Sequence, residues 1–78
     1  MLDTRLSAAI ADVFGLDPVE VTAESSADTI PDWDSTGHFR LILHLEEVFE
    51  IRFPGNEIPE LNTAGKLQEA LTRLNALK

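Results

Sequence analysis

The sequence predicts an all-α fold: a small bundle of three main helices plus one short helix, with a long loop between helices 1 and 2. Three observations carry this. Apolar residues recur at helical spacing in three separate stretches, no run alternates with period two, and each stretch opens on a residue able to cap a helix. Leu2, Leu6, Ala9, Ile10 and Val13 mark the first helix, with Asp3 as N-cap and Gly15 closing it. Pro18 then opposes continuation. Residues 16–33 show no periodicity, and a connection this long inside a compact domain is usually functional. Val19, Val21, Ile30 and Trp33 are its expected apolar anchors, and it has room for one short helical turn.

The second helix is expected to start at Asp34 or Ser35 and to end near Glu50. Phe39, Ile42, Leu45 and Phe49 line one side, and Leu41 with Val48 widens the arc, as on a helix packed against more than one neighbour. Ile51 and Phe53 lead into a Pro54-Gly55 turn. Residues 56–61 have room for one short helical turn, the short fourth helix, with Ile58 and Leu61 inward. Thr63 caps the last helix, marked by Leu67, Ala70, Leu71, Leu74 and Leu77.

The chain has 78 residues, which predicts a single domain over 1–78. Hydrophobic residues make up 44% and charged residues 26%, an ordinary balance for a soluble globular chain. No apolar run approaches the roughly 18 residues of a membrane span. The first residues lack the basic and apolar regions of a secretory signal. There is no cysteine, which excludes disulfides, thiolate catalysis and Cys-based zinc sites and fits a reducing cytoplasm. A chain this short cannot both fold and wall off a large substrate cavity, so a module handled by other proteins is expected rather than an enzyme. Nothing calls for an oligomer, and a monomer is expected.

The net charge is −8, which disfavours nucleic acid and anionic membrane as partners. Nearly all of the imbalance lies in one block. Leu6 to Phe39 contains no Lys or Arg and seven acids: Asp12, Asp17, Glu20, Glu24, Asp28, Asp32 and Asp34. Such a block is either a solvated surface that keeps a small protein soluble or a landing surface for basic partners.

The stretch Pro31-Asp32-Trp33-Asp34-Ser35-Thr36-Gly37-His38 joins this acidic loop to the most apolar helix. Asp34 can cap the helix, which leaves Ser35 exposed in the first turn. Free N–H groups and the positive end of the helix dipole make that position favourable for a phosphate ester. The plainer alternative is a second capping residue. Ser35 and His38 share a helix face, but with Asp32 or Asp34 they make a poor hydrolase triad, since all come from one local stretch with no oxyanion hole. His38 and His44 read first as surface histidines, Glu46 and Glu47 as the wet side of an amphipathic helix, and Leu43 as either core or an exposed docking residue. Trp33 is expected to pin the loop, with its indole N–H seeking a partner.

Asp34-Ser35 after an acidic loop, then an apolar helix ending in Leu45-Glu46-Glu47-Val48-Phe49, resembles the acyl carrier protein family. Ile51-Arg52-Phe53, Glu57-Ile58, Leu61 and Thr63-Ala64-Gly65-Lys66-Leu67 are similar to that family's third and fourth helices. The lead into Ser35 and the Gly37-His38 step resemble free-standing bacterial carriers, and the likeness runs from about Leu6 to Leu74. The resemblance implies that a phosphopantetheinyl transferase moves 4′-phosphopantetheine from coenzyme A onto Ser35, with Asp34 beside it. Cargo would then be held as a thioester on the arm's thiol, which would account for the missing cysteine. Acyl- or aminoacyl-loading ligases or synthases would be the partners, docking through Thr36, His38, Arg40, Leu43, Glu46 and Glu47. Thr36 stands where the family usually has Leu, and His38, Arg40 and His44 lie along a helix that its fatty-acid members keep acidic. Both departures imply a carrier in a specialised pathway rather than housekeeping fatty acid synthesis. The alternative is an unmodified carrier-like helical module that binds a basic partner through its acidic face.

Overall fold

The computed structural model describes residues 2–77. They form three α-helices, α1 (Thr4–Phe14), α2 (Ser35–Phe49) and α3 (Ala64–Arg73), with no named strand among the described residues. Each helix begins where a side chain accepts from the first turn. Asp3 takes the N–H groups of Arg5 and Leu6, Asp34 takes that of Gly37, and Thr63 takes that of Lys66. Gly15 closes α1 in the left-handed conformation (φ 68°). Glu50 closes α2 at φ 53° without being glycine.

Residues 56–61 hold a single helical turn, with Leu61 buried just after it. The chain makes one 3-10 turn there, Ile58–Glu60, with Pro59 inside it, and another at Pro18–Glu20. The last helix stops at Arg73, before Leu74 and Leu77, and Asn75 turns the chain at φ 62°. Leu74 and Leu77 remain packed against the core.

One core joins Leu6, Ile10 and Phe14 of α1, Leu41, Ile42, Leu45 and Phe49 of α2, Leu67 and Leu71 of α3, and Val21, Ile30, Trp33, Phe53 and Leu61 from the connections. Three expected core residues lie outside it. Phe39 is 59% exposed, Val48 lies at the border of exposure, and Val19 is 84% exposed. The apolar arc of α2 is wider than the face its neighbours cover. Val19 sits in a 3-10 turn that buries none of its residues, and Val21, two residues on and just past the turn, reaches inward instead.

The long loop is bonded throughout. Thr22 N–H donates to Ser25 Oγ at 2.9 Å, Ser26 N–H to Thr29 Oγ1 at 3.0 Å, and Ile30 N–H to Ser26 O at 2.8 Å. Ala64 and Gly65 N–H at the start of α3 donate to Ser25 O (3.0 Å) and Ala23 O (2.8 Å), so the loop also terminates that helix. Asp3 N–H donates to Gln68 Oε1, tying α1 to α3. The Arg73 guanidinium hydrogen-bonds Glu57 and holds its carboxyl below the usual carboxylate range. What this pair adds is present above the ordinary carboxylate pKa and is lost as pH falls through the lowered one. Solvent screens it, so it is a minor support.

The tightest approach is at Gly37, on the inner side of α2. A Cβ there would lie 2.1 Å from the carbonyl oxygen of Asp32 and 3.1 Å from the Phe14 ring. In an open helix Ala is favoured over Gly by about 1 kcal/mol. Here Gly37→Ala is expected to destabilise by about 1–3 kcal/mol, since the obstacle is backbone. Gly55→Ala, where a Cβ meets nothing within 4 Å, should stay within about 0.5 kcal/mol. Urea unfolding of the two variants measures both, and a stabilised Gly37→Ala would contradict the close approach.

Candidate functional site

The loop end and the first turn of α2 meet in one place. Asp34 Oδ1 accepts Gly37 N–H at 2.7 Å, and Asp34 O accepts His38 N–H at 2.7 Å. The cap is therefore filled by Asp34. Ser35 stands exposed at the first helical position, and its hydroxyl has no partner among the described residues. The N–H groups of Ser35 and Thr36 have no intrahelical acceptor because of where they stand.

Behind them the loop is locked. Trp33, 3% exposed, stacks on Phe14 at the end of α1 with ring centroids 5.5 Å apart. Its indole N–H donates to His38 Nδ1 at 2.9 Å, and His38 Nε2 lies 2.8 Å from Ile58 O. An indole N–H only donates and a carbonyl only accepts, so this geometry selects the tautomer with its proton on Nε2. His38 is thus no free surface histidine: both ring nitrogens are engaged inside the chain. Trp33 pins the loop as expected, and its partner is the histidine five residues on.

Ser35 stands at an open cleft of about 630 Å³, lined also by Trp33, His38, Phe39, Ile58 and Pro59. The cleft lies between the start of α2 and the turn at Ile58–Glu60. No sequence signal brings Ile58 and Pro59 to it, and Phe39, expected in the core, stands at it instead. Its i+4 spacing from Ser35 is the one sequence signal that puts it on the same outward face.

The remaining candidates separate by face. Leu43, 50% exposed, continues the outward stripe Ser35–Phe39–Leu43, with Thr36, Arg40 and Glu47 exposed beside it. Glu46 departs from them. It is half-buried, and its Oε2 accepts Phe53 N–H at 2.9 Å, which anchors the segment after α2. His44 is half-buried, with Nε2 buried and without a hydrogen-bond partner. All seven acids of the loop block are exposed. Among the described residues no three His, Asp or Glu side chains cluster as metal ligands, and no helix is long and apolar enough to cross a membrane. No protein-family model matches the sequence.

The two adjacent glutamates should therefore behave differently. Glu46→Ala leaves the N–H of buried Phe53 without its charged acceptor and is expected to cost about 1–3 kcal/mol. Glu47→Ala should stay within about 0.5 kcal/mol. Chemical denaturation of the pair checks this, and equal small losses would argue against the Glu46 anchor.

Proposed function

We propose that this chain is an acyl carrier whose attachment point is Ser35, in line with the family resemblance of its sequence. The observation that carries the reading is the division of labour at the start of α2. Asp34 fills the cap, so the Ser35 hydroxyl is free and exposed beside an apolar cleft. A residue needed for the cap could not be given up to modification without loosening the helix.

The local groups fit a phosphodiester at this position. Ser35 Oγ would gain the bond to phosphorus as the adenosine bisphosphate part of coenzyme A leaves, with the hydroxyl proton passing to the transferase. Ser35 and Thr36 N–H face that end of the helix without intrahelical acceptors, and the dipole favours the negative charge. The 4′-phosphopantetheine arm supplies a thiol on which an acyl or aminoacyl group is held as a thioester. Phe39 and Leu43 offer apolar contact to loading and consuming enzymes, while Thr36, Arg40 and Glu47 give the same face mixed polarity. This mixed face favours partners other than those of housekeeping fatty acid synthesis. The exposed acids of the loop suit basic partner surfaces and fast encounter.

A second reading is an unmodified module that binds a basic partner. The feature that favours it is Thr36, which replaces the apolar residue usual beside a modified serine in the resembling family.

Intact-mass spectrometry after incubation with coenzyme A and a broad-specificity phosphopantetheinyl transferase separates the two. One phosphopantetheine increment is expected on the natural chain and none on Ser35→Ala. The Ser35→Ala chain should unfold within about 0.5 kcal/mol of the natural one, because the cap is untouched. No increment on folded natural chain with several transferases would leave the second reading.

A further inference from the structure

His38 lies three residues beyond Ser35, yet its ring is turned into the molecule. Its contacts join four pieces of chain. Phe14 of α1 stacks on Trp33, and Trp33 stacks on His38 with centroids 6.1 Å apart and donates to Nδ1. The opposite nitrogen reaches the carbonyl of Ile58, twenty residues away. An apolar ring would satisfy packing alone. The two nitrogens do more, because together they fix how far Trp33 stands from the turn at Ile58–Glu60. Trp33, His38 and Ile58 are also walls of the cleft beside Ser35.

We propose that His38 is a positioning residue: by bridging Trp33 and Ile58 it sets the width of the cleft, and so how firmly the cleft retains an apolar chain attached through Ser35. The cargo part rests on the carrier reading; the bridge does not. The occupant follows from the lining, since Trp33, Phe39, Ile58 and Pro59 present mostly apolar surface to a chain extending from Ser35. Released from the bridge, the Ile58 turn is held on this side by less, and the cleft loses its fixed shape.

Three variants test this. His38→Phe keeps a ring against Trp33 but has neither nitrogen. Trp33→Phe keeps a ring over Phe14 but has no donor. His38→Gln keeps one acceptor and one donor on a chain of similar reach. In the unmodified protein, exchange of the Trp33 indole N–H is read by NMR against the amides of buried Leu41 and Leu45. It should be about tenfold faster in His38→Phe, with those amides unchanged, and near the natural rate in His38→Gln. The proteins are then loaded with octanoyl- or acetyl-phosphopantetheine, and thioester cleavage by hydroxylamine is timed. In the natural chain the octanoyl thioester should be the slower. His38→Phe and Trp33→Phe should narrow the octanoyl-to-acetyl difference by about two- to tenfold, and His38→Gln should restore it.

Equal ratios in natural and His38→Phe chains would overturn the proposal, as would equal losses in His38→Phe and His38→Gln. A rise in indole exchange shared by the Leu41 and Leu45 amides would mark a merely structural role and overturn it too. Failure of the natural chain to take the arm at all would instead remove the carrier reading, while indole exchange still decides the bridge.

Discussion

The inner side of the first turn of α2 has no room for a side chain at residue 37. The carbonyl of Asp32 occupies the place a Cβ would take, and the Phe14 ring closes it from α1. Much of the site follows from that contact. With the loop end pressed against the helix, Trp33 is carried into the core, and Asp34 reaches the free N–H of Gly37. Residues two apart on a helix point about 200° from one another. A helix that turns position 37 inward must therefore turn position 35 outward, and the exposure of Ser35 is the geometric counterpart of the burial of Gly37.

The acidic loop is held by the same economy of short contacts. Ser25, Ser26 and Thr29 bond their own neighbours, which satisfies several of the loop's backbone N–H groups outside any α-helix or named strand. The carbonyls of Ala23 and Ser25 take the first N–H groups of α3, and this is possible because Gly65 lets Ala23 O approach to 3.0 Å of where a Cβ would be. The loop thus lays its backbone on the helices and leaves its carboxylates to water. Its charge is uncompensated within the loop itself, which raises the electrostatic cost of folding and leaves a negative surface for an approaching cation-rich protein.

Much of this was legible in the sequence. Asp3, Gly15, Asp34 and Thr63 each perform the capping role their residue type implies, because capping depends on local chemistry alone. The helical stripes also gave most of the core. Phe39 and Val48 depart from expectation because periodicity says which residues share a face, not how much of a wide face the neighbours cover, while Val19, in a stretch without periodicity, had only its apolar character to suggest an anchor. The need for glycine at position 37 comes from the close approach of the chain's own backbone at Asp32, which no local pattern announces. The bridge from Trp33 through His38 to Ile58 O was out of reach, since a bond between positions 38 and 58 leaves no local pattern. Glu46 and Glu47 are indistinguishable as letters, and only the path of residues 51–53 separates them.

The start of α2 therefore has two sides of opposite character. Inward, Asp34 Oδ1 and both ring nitrogens of His38 are engaged, Trp33 is buried, and Gly37 leaves no room for a Cβ. Outward, Ser35, Phe39 and Leu43 run in one exposed stripe. Folding alone gives no reason to leave two large apolar side chains in water next to an unbonded hydroxyl; burying them would stabilise the domain. On the carrier function proposed above, their placement on the stripe that begins at Ser35 has a use. The group to be modified must be reachable, the surface beside it must be adhesive enough for a partner to find, and the scaffold beneath must not shift when either is engaged. The close-packed inner side supplies that last condition, and the exposed positions of Thr36 and Arg40 bear none of its contacts.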